Sequence, residues 1–134
     1  MERIRLSAAA RNQLITLKRR TGIEHNNALC RHALCMSLAN PSIPPDEEHG
    51  FAGGLEIDWR TFTGGQETLY TNLLRVRLVA EGRTVNEQTT HAALTRHVHR
   101  GLSYLVSRRE EDLLLELART LVEMQSSAAA NTRG

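Results

Sequence analysis

The sequence predicts a mainly α-helical protein, a compact helical domain with one or two short extended segments. Apolar residues recur at helical spacing through most of the chain, whereas strict apolar–polar alternation is confined to residues 3–6 and 55–60. Candidate helix caps and glycine stops separate the helical stretches. The length of 134 residues suits one hydrophobic core. We expect residues 1–125 to form this single domain and residues 126–134 to form a flexible tail.

The N-terminal forty residues predict a strand, a helix, a glycine turn and a second helix. Residues 3–6 alternate basic and apolar side chains, so Arg3 and Arg5 would point to one side of a strand. Ser7 suits the N-cap of the first helix, and Gly22 suits the position just after its last turn. This strand-helix-helix order resembles the ribbon-helix-helix pattern, in which two chains pair basic N-terminal strands in the major groove of DNA.

The second helix should begin at Asn26 or Asn27, since either residue can cap it. It should end at the Asn40–Pro41 step. Because this helix is apolar on most of its surface, we expect it to be buried. Residues 41–54 hold all three prolines of the chain and predict a long loop.

The second half of the chain predicts a short strand at residues 55–60 and then further helices. One helix is expected from about Gln66 to Glu81, and the segment Thr84-Val85-Asn86-Glu87 reads as a capping box before the next. Acidic residues 110–112 start or continue a C-terminal helix. The helix at 66–81 should present a broad apolar face formed by Leu69, Tyr70, Leu73, Leu74, Val76 and Leu78.

Positive charge is concentrated in residues 1–40, which carry seven Lys or Arg and two acidic residues. Lys18, Arg19 and Arg20 are consecutive in the last turn of the first helix. The helix dipole accounts for one or two cations there, but three beside Arg11 exceed that need. The excess predicts a polyanionic partner such as DNA, and a solvated, uneven surface is the alternative. Residues 41–58 are acidic, with no Lys or Arg.

The motifs of several catalytic and metal-binding classes are absent from the sequence. It has no P-loop, no dinucleotide-binding glycine pattern and no nucleophile elbow. His97 and His99 would diverge by about 200° on a helix, and Cys30 and Cys35 by about 140°, so neither pair would share a metal ion. We therefore expect no catalytic residue, metal or cofactor, and two buried free thiols. No apolar run has the length of a signal peptide core or a membrane span, which predicts a cytoplasmic protein.

Three segments together resemble the small DndE-type proteins of bacterial DNA phosphorothioation. They are LKRRTGIEHNNALCRHALCMSL (17–38), EIDWRTFTGGQETLYTNLLRVR (56–77) and HRGLSYL (99–105). The resemblance implies a helical homotetramer that binds double-stranded DNA, including nicked duplex. It also implies partnership with the cysteine desulfurase, sulfurtransferase-like and ATPase components of that system.

The resemblance also implies where the functional surfaces lie in this chain. The basic, DNA-binding surface maps onto Lys18, Arg19 and Arg20, with Arg5, Arg11 and Arg31 as weaker candidates. Contact between subunits maps onto Thr21, Gly22, Ile23 and Glu24.

The leading hypothesis is thus a non-enzymatic, DNA-binding accessory subunit of DNA sulfur modification. A protein–protein adaptor is the first alternative, with the acidic residues 46–58 and 110–123 docking a basic partner. A ribbon-helix-helix transcription regulator is the second. A weak nuclease is the third, and it would need a metal site that the sequence does not reveal.

Overall fold

The computed structural model describes residues 2–46, 50–108, 112, 114–115, 117–123 and 125. It is mainly helical with one small sheet, as predicted. The elements are β1 (Arg3–Leu6), α1 (Ala8–Thr21), α2 (Asn26–Ala39), β2 (Leu55–Asp58), α3 (Trp59–Thr63), α4 (Glu67–Ala80) and α5 (Glu87–Ser107). Residues 117–123 are also helical. The predicted tail at 126–134 lies outside the described residues.

The helix α5 is the centre of the fold and packs most extensively against α2, and then against α1, α4 and β1. Gly101 makes the α2 contact possible, because a Cβ atom at this position would collide with the backbone of Ala33. The longest apolar side chains of the core, including Leu94 and Leu102 of α5, are fully buried. No described helix combines the length and the apolar character that a membrane span requires.

The predicted N-terminal strand is confirmed, with Ile4 and Leu6 fully buried and Arg3 and Arg5 exposed. It pairs antiparallel with β2 of the same chain, and Arg5 lies opposite Glu56. On the α5 side, His91 Nε2 donates to the carbonyl of Arg3 at 2.9 Å. A ribbon-helix-helix dimer needs this strand to pair with a second copy. The similarity to that pattern therefore ends with the order of the elements.

The ends of α1 form as the sequence predicts. Ser7 Oγ accepts a hydrogen bond from the backbone N–H of Ala10 at 3.1 Å. Gly22 adopts a left-handed conformation with φ 74°, and its N–H donates to the carbonyl of Lys18. A serine at the start and a glycine after the end thus fix the length of this helix.

The starts of two other helices differ from the predictions. His25, and neither asparagine, occupies the N-cap of α2, and Asn27 Nδ2 instead donates to the carbonyl of Thr61 at 3.1 Å. The capping box of α5 begins at Asn86, whose side chain accepts from the N–H of Thr89. The box therefore starts two residues later than predicted. Asn86 is a residue type that favours the N-cap, since its side-chain oxygen can accept from a backbone N–H of the first turn.

The helix α3 was not predicted, since the glycine pair after it reads as a simple turn. Its first residue, Trp59, stacks on Phe62 with ring centroids 5.6 Å apart. Asp58 caps it by accepting from the N–H of Thr61 at 3.2 Å. The burial of two aromatic rings therefore stabilises a five-residue helix that local sequence signals do not specify.

The predicted broad apolar face of α4 is only half covered. Leu74 and Leu78 are buried. Leu69, Leu73 and Val76 are 49%, 41% and 68% exposed, which is unusual for residues of one helix. The helix and its broad apolar face are present as predicted, and the core covers only the part of that face formed by Leu74 and Leu78.

Candidate nucleic-acid interface

The outer face of α1 carries three cations around one exposed isoleucine. At about 100° per residue, Arg11, Ile15, Lys18 and Arg19 lie within roughly one third of the helix circumference. Arg11 and Arg19 are exposed, Lys18 is half-buried, and Ile15 is 54% exposed. The opposite side of the helix packs into the core through Ala10, Leu14 and Leu17. We call this set, Arg11, Ile15, Lys18 and Arg19, the α1 face.

Two cations of the α1 face have no counter-charge among the described residues. In the part of the chain that the structure describes, no carboxylate lies within ion-pair distance of Lys18 or Arg19. Arg11 makes one long contact, from Nη1 to the carbonyl of Gly53 at 3.5 Å. Unneutralised cations on a helix surface attract anions, and they do so most strongly at low ionic strength.

Arg20 differs from its two neighbours in the sequence. Its Nη1 donates to the carbonyl of Val106 at 3.0 Å, near the end of α5. Carbonyls in the last turn of a helix lack partners within the helix, and a cation there also interacts favourably with the helix dipole. Of the predicted cluster, Lys18 and Arg19 point outward, whereas Arg20 joins the ends of α1 and α5.

The two remaining candidates lie away from the α1 face. Arg5 Nε lies 3.4 Å from Glu56, and its guanidinium sits over the ring of Phe51. Arg31 Nη1 donates to the carbonyl of Phe62 at 3.0 Å. Both side chains hold parts of the fold together, so the structure groups only Arg11 with Lys18 and Arg19.

The predicted subunit contact, Thr21-Gly22-Ile23-Glu24, is a turn beside the α1 face. Thr21 Oγ1 donates to the carbonyl of Leu17 at 2.8 Å and accepts from the N–H of Ile23 at 3.2 Å. Gly22 and Glu24 are exposed, and Ile23 packs against the core. The turn is thus ordered and accessible, and its role in self-association stays a prediction.

Two other arginines, which the charge pattern alone did not single out, hold the end of α2. Arg77 donates to the carbonyls of Leu38 and Asn40. Arg100 Nη2 donates to the carbonyl of Ser37 at 2.7 Å, and its Nη1 donates to Ser42. We call this arrangement the α2 clamp. In the α2 clamp, the guanidinium groups donate to backbone carbonyls, so these two arginines stabilise the fold.

A buried histidine belongs to the α2 clamp. His97 Nδ1 and Ser37 Oγ are 2.7 Å apart, and Arg100 Nε donates to the same Ser37 Oγ at 2.8 Å. Burial, together with the charges of Arg100, Arg77 and Arg96, lowers the pKa of His97 from 6.5 to about 4. His97 is therefore neutral at physiological pH, and the serine hydroxyl connects it to the arginine.

The other histidine and cysteine candidates are separated. His99 Nε2 accepts from the N–H of Ser7 at 3.1 Å, and its Nδ1 donates to the carbonyl of Thr95. Cys30 is buried, and its burial raises the pKa of the thiol to about 12. Cys35 is exposed, so the prediction of two buried thiols was wrong for Cys35. Among the described residues, no three His, Cys, Asp or Glu side chains converge as metal ligands.

The acidic surfaces of the adaptor hypothesis are visible only in part. Asp46 is exposed and lies 3.3 Å from Arg96 of α5, so it already has a cationic neighbour in its own chain. Glu47 and Glu48 lie outside the described residues, as do several residues of the 110–123 stretch. Glu56 of the same stretch pairs with Arg3 and Arg5, and Asp58 caps α3, so the described carboxylates of residues 46–58 contact groups of their own chain.

The fold and the α1 face define a small helical protein with exposed cations on one helix that no described carboxylate neutralises. The family model described as "DNA sulphur modification protein DndE" matches residues 3–112, and the chain belongs to this family. Among solved structures, the chain is similar to the crystal structure of DndE from Escherichia coli B7A involved in DNA phosphorothioation modification. It has 23% sequence identity and a TM-score of 0.65, and the match covers 78% of this chain and 96% of that one. No curated protein matches this chain.

These comparisons confirm the family resemblance seen in the sequence. Membership of the family links the chain to DNA sulfur modification. The similarity to the Escherichia coli structure supports the fold.

Proposed function

We propose that this chain is a non-enzymatic accessory subunit of DNA sulfur modification that binds the phosphate backbone of double-stranded DNA through the α1 face. The observation that carries the proposal is the absence of a carboxylate beside Lys18 and Arg19 among the described residues. Lysine and arginine contacts to phosphates release counterions and supply affinity without reading the sequence.

The shape of the α1 face suits a backbone contact. Arg11 and Arg19 are eight residues apart, or about 12 Å along the helix axis, which is more than the roughly 3.4 Å axial step between phosphates of one strand, so the two cations can reach different phosphates. The chain has only five aromatic residues, and Trp59 is buried. It therefore lacks the stacking platforms that single-stranded DNA binding uses, and duplex is the better-suited ligand.

The test is a salt series of duplex binding measured by fluorescence anisotropy. The variant K18Q/R19Q removes two cations of the α1 face, and R60Q/R75Q removes two exposed cations elsewhere. We expect the first variant to bind more weakly and to lose about two units of the slope of log K against log salt. The control should keep most of that slope. Equal losses in both variants would reduce the effect to net charge and remove the α1 face from the proposal.

The same proposal includes self-association and partners within the sulfur-modification system. The subunits would form a homotetramer with Thr21-Gly22-Ile23-Glu24 at a contact, and the protein would work with sulfurtransferase-like and ATPase components.

Sedimentation at several concentrations tests the oligomeric state. Electrophoretic comparison of intact, nicked and single-stranded DNA tests ligand preference. Incubation of supercoiled plasmid with Mg²⁺ tests the absence of nuclease activity, and nicking by the purified protein would contradict it.

A further inference from the structure

An exposed apolar seam runs along the outer side of α4. Leu69, Leu73, Val76 and Ala80 are exposed and recur at intervals of four, three and four residues, so they lie on one face of the helix. The side chains of Leu74 and Leu78 project to the other side and are buried. We call the four exposed residues the α4 seam. A helix with a second, uncovered apolar face is a surface that another helix can cover.

The spacing of the α4 seam is that of a coiled-coil a/d pattern. If two copies of α4 pack antiparallel about a two-fold axis between Leu73 and Val76, each Leu69 lies opposite Ala80 of the other copy. Each Leu73 then lies opposite the other Val76. Large side chains meet smaller ones at every level, which is the complementarity that close helix packing requires.

The charges around the α4 seam favour a second copy over a charged partner. The seam contains no charged residue, and its flanking positions on one side are Asn72 and Val79. On the other flank, Arg77 is engaged with carbonyls of α2 in its own chain. A partner recognised by charge would find no complement here. A second copy would bring the same uncharged surface and no like-charge repulsion.

The apolar surface continues beyond α4. Tyr70 follows Leu69 in the helix and lines a cavity of about 200 Å³ together with Leu121 and Cys35. Leu121 and Val122 are 59% and 60% exposed. The four seam residues alone are a small area beside the roughly 800 Å² per partner of a standard interface, and this continuation enlarges it.

We propose that the α4 seam is a self-association surface, on which α4 of a second copy packs antiparallel. This inference rests on the self-association included in the proposed function, and it adds a surface separate from Thr21-Gly22-Ile23-Glu24. A two-fold contact alone closes a dimer, whereas two different two-fold contacts whose axes intersect at right angles generate a closed tetramer. The α4 seam would supply one of them.

Engineered cysteines test the direction of packing. In a Cys35→Ser background, L69C and A80C proteins are mixed and oxidised. In antiparallel pairing, positions 69 and 80 face each other, while two copies of position 69 are about 16 Å apart. We expect a disulfide-linked dimer in the mixture and only traces with L69C or A80C alone. Cross-linking of L69C with itself would indicate parallel helices and would overturn the proposal.

Solution mass tests whether the seam is needed. V76K places a charge in the centre of the α4 seam, and I43K makes the same change at an exposed residue of the loop. We expect V76K to halve the mass of the assembly, or to give the monomer, while I43K keeps the wild-type mass. Because Val76 is 68% exposed within the single chain, V76K should keep the helical circular-dichroism spectrum of the wild type.

The outcomes separate this inference from the proposal on which it rests. A wild-type protein that is monomeric at every concentration removes both self-association and the α4 seam contact. A wild-type oligomer that V76K leaves intact removes the seam contact alone. A V76K protein of unchanged mass that loses co-purification with other sulfur-modification proteins would assign the seam to a different partner and would also overturn self-pairing.

Discussion

The α2 clamp and the α1 face both contain exposed or half-buried cations, and they use them in opposite ways. In the α2 clamp, Arg77 and Arg100 donate to backbone carbonyls at the end of α2. On the α1 face, Lys18 and Arg19 have no carboxylate beside them among the described residues. A high content of arginine therefore does not locate a DNA-binding surface. Among the described residues, the absence of a neighbouring carboxylate is what makes the α1 face the candidate surface.

The largest expected effect is the loss of Arg100 from the α2 clamp. R100M keeps an unbranched apolar stem but removes the donors to Ser37 and Ser42, so half-buried carbonyls lose their partners. We expect unfolding to become easier by about 3 kcal/mol, measured by urea denaturation. R75M, at an exposed position of α4, is the matched control and should change stability by less than about 0.5 kcal/mol. Equal stabilities of the two variants would contradict the role of the clamp.

The next effect is a loss of stability in acid through His97. Because the folded-state pKa of His97 is lowered from 6.5 to about 4, the unfolded chain binds this proton first. The contribution is fully present above about pH 6.5 and is lost as the pH falls toward 4, by about 2–3 kcal/mol. Urea denaturation at intervals through that range measures it. H97Q should flatten this part of the profile, whereas H25Q, at an exposed cap position, should not.

A smaller effect is expected at Arg20, which lies outside both the α2 clamp and the α1 face. R20M removes the donor to the carbonyl of Val106 and should cost about 1 kcal/mol of stability. Hydrogen exchange should rise in the last turn of α5 more than in β1. If exchange there is unchanged, the link between the ends of α1 and α5 contributes nothing measurable.

The smallest effect on stability should come from the α1 face itself. K18Q/R19Q removes charges that make no described internal ion pair, so the midpoint of urea denaturation should shift by less than about 0.5 kcal/mol. The same variant should show the largest change in duplex binding. A loss of more than about 1 kcal/mol would mean that these side chains support the fold, and the contrast with the α2 clamp would disappear.

The sequence predicted the elements that depend on neighbours close along the chain. Ser7 and Gly22 define α1 through bonds to residues three and four positions away, and both were found as predicted. The basic segment was also visible, because three consecutive cations need no tertiary information. Local chemistry was thus sufficient to fix both ends of α1.

The features that the sequence missed depend on distant partners. The bond from Arg20 to Val106 joins residues 86 positions apart, and the bond from Arg100 to Ser37 joins residues 63 positions apart. Which arginine is free and which is engaged is decided by these contacts. The exposure of Val76 was missed for the same reason, since helical spacing shows that two faces are apolar but not which face the core covers.

The bond between Arg20 and Val106 has a consequence for the energetics of the proposed DNA binding. It anchors the last turn of α1 to the central helix, so the backbone that carries Lys18 and Arg19 is ordered in the free protein. In the proposed complex, only the side chains of these two cations would lose conformational freedom, and the entropy cost of ordering the helix would not reduce the affinity. Binding of duplex should therefore leave the amide exchange rates of α1 almost unchanged while it quenches the motion of the lysine and arginine side chains.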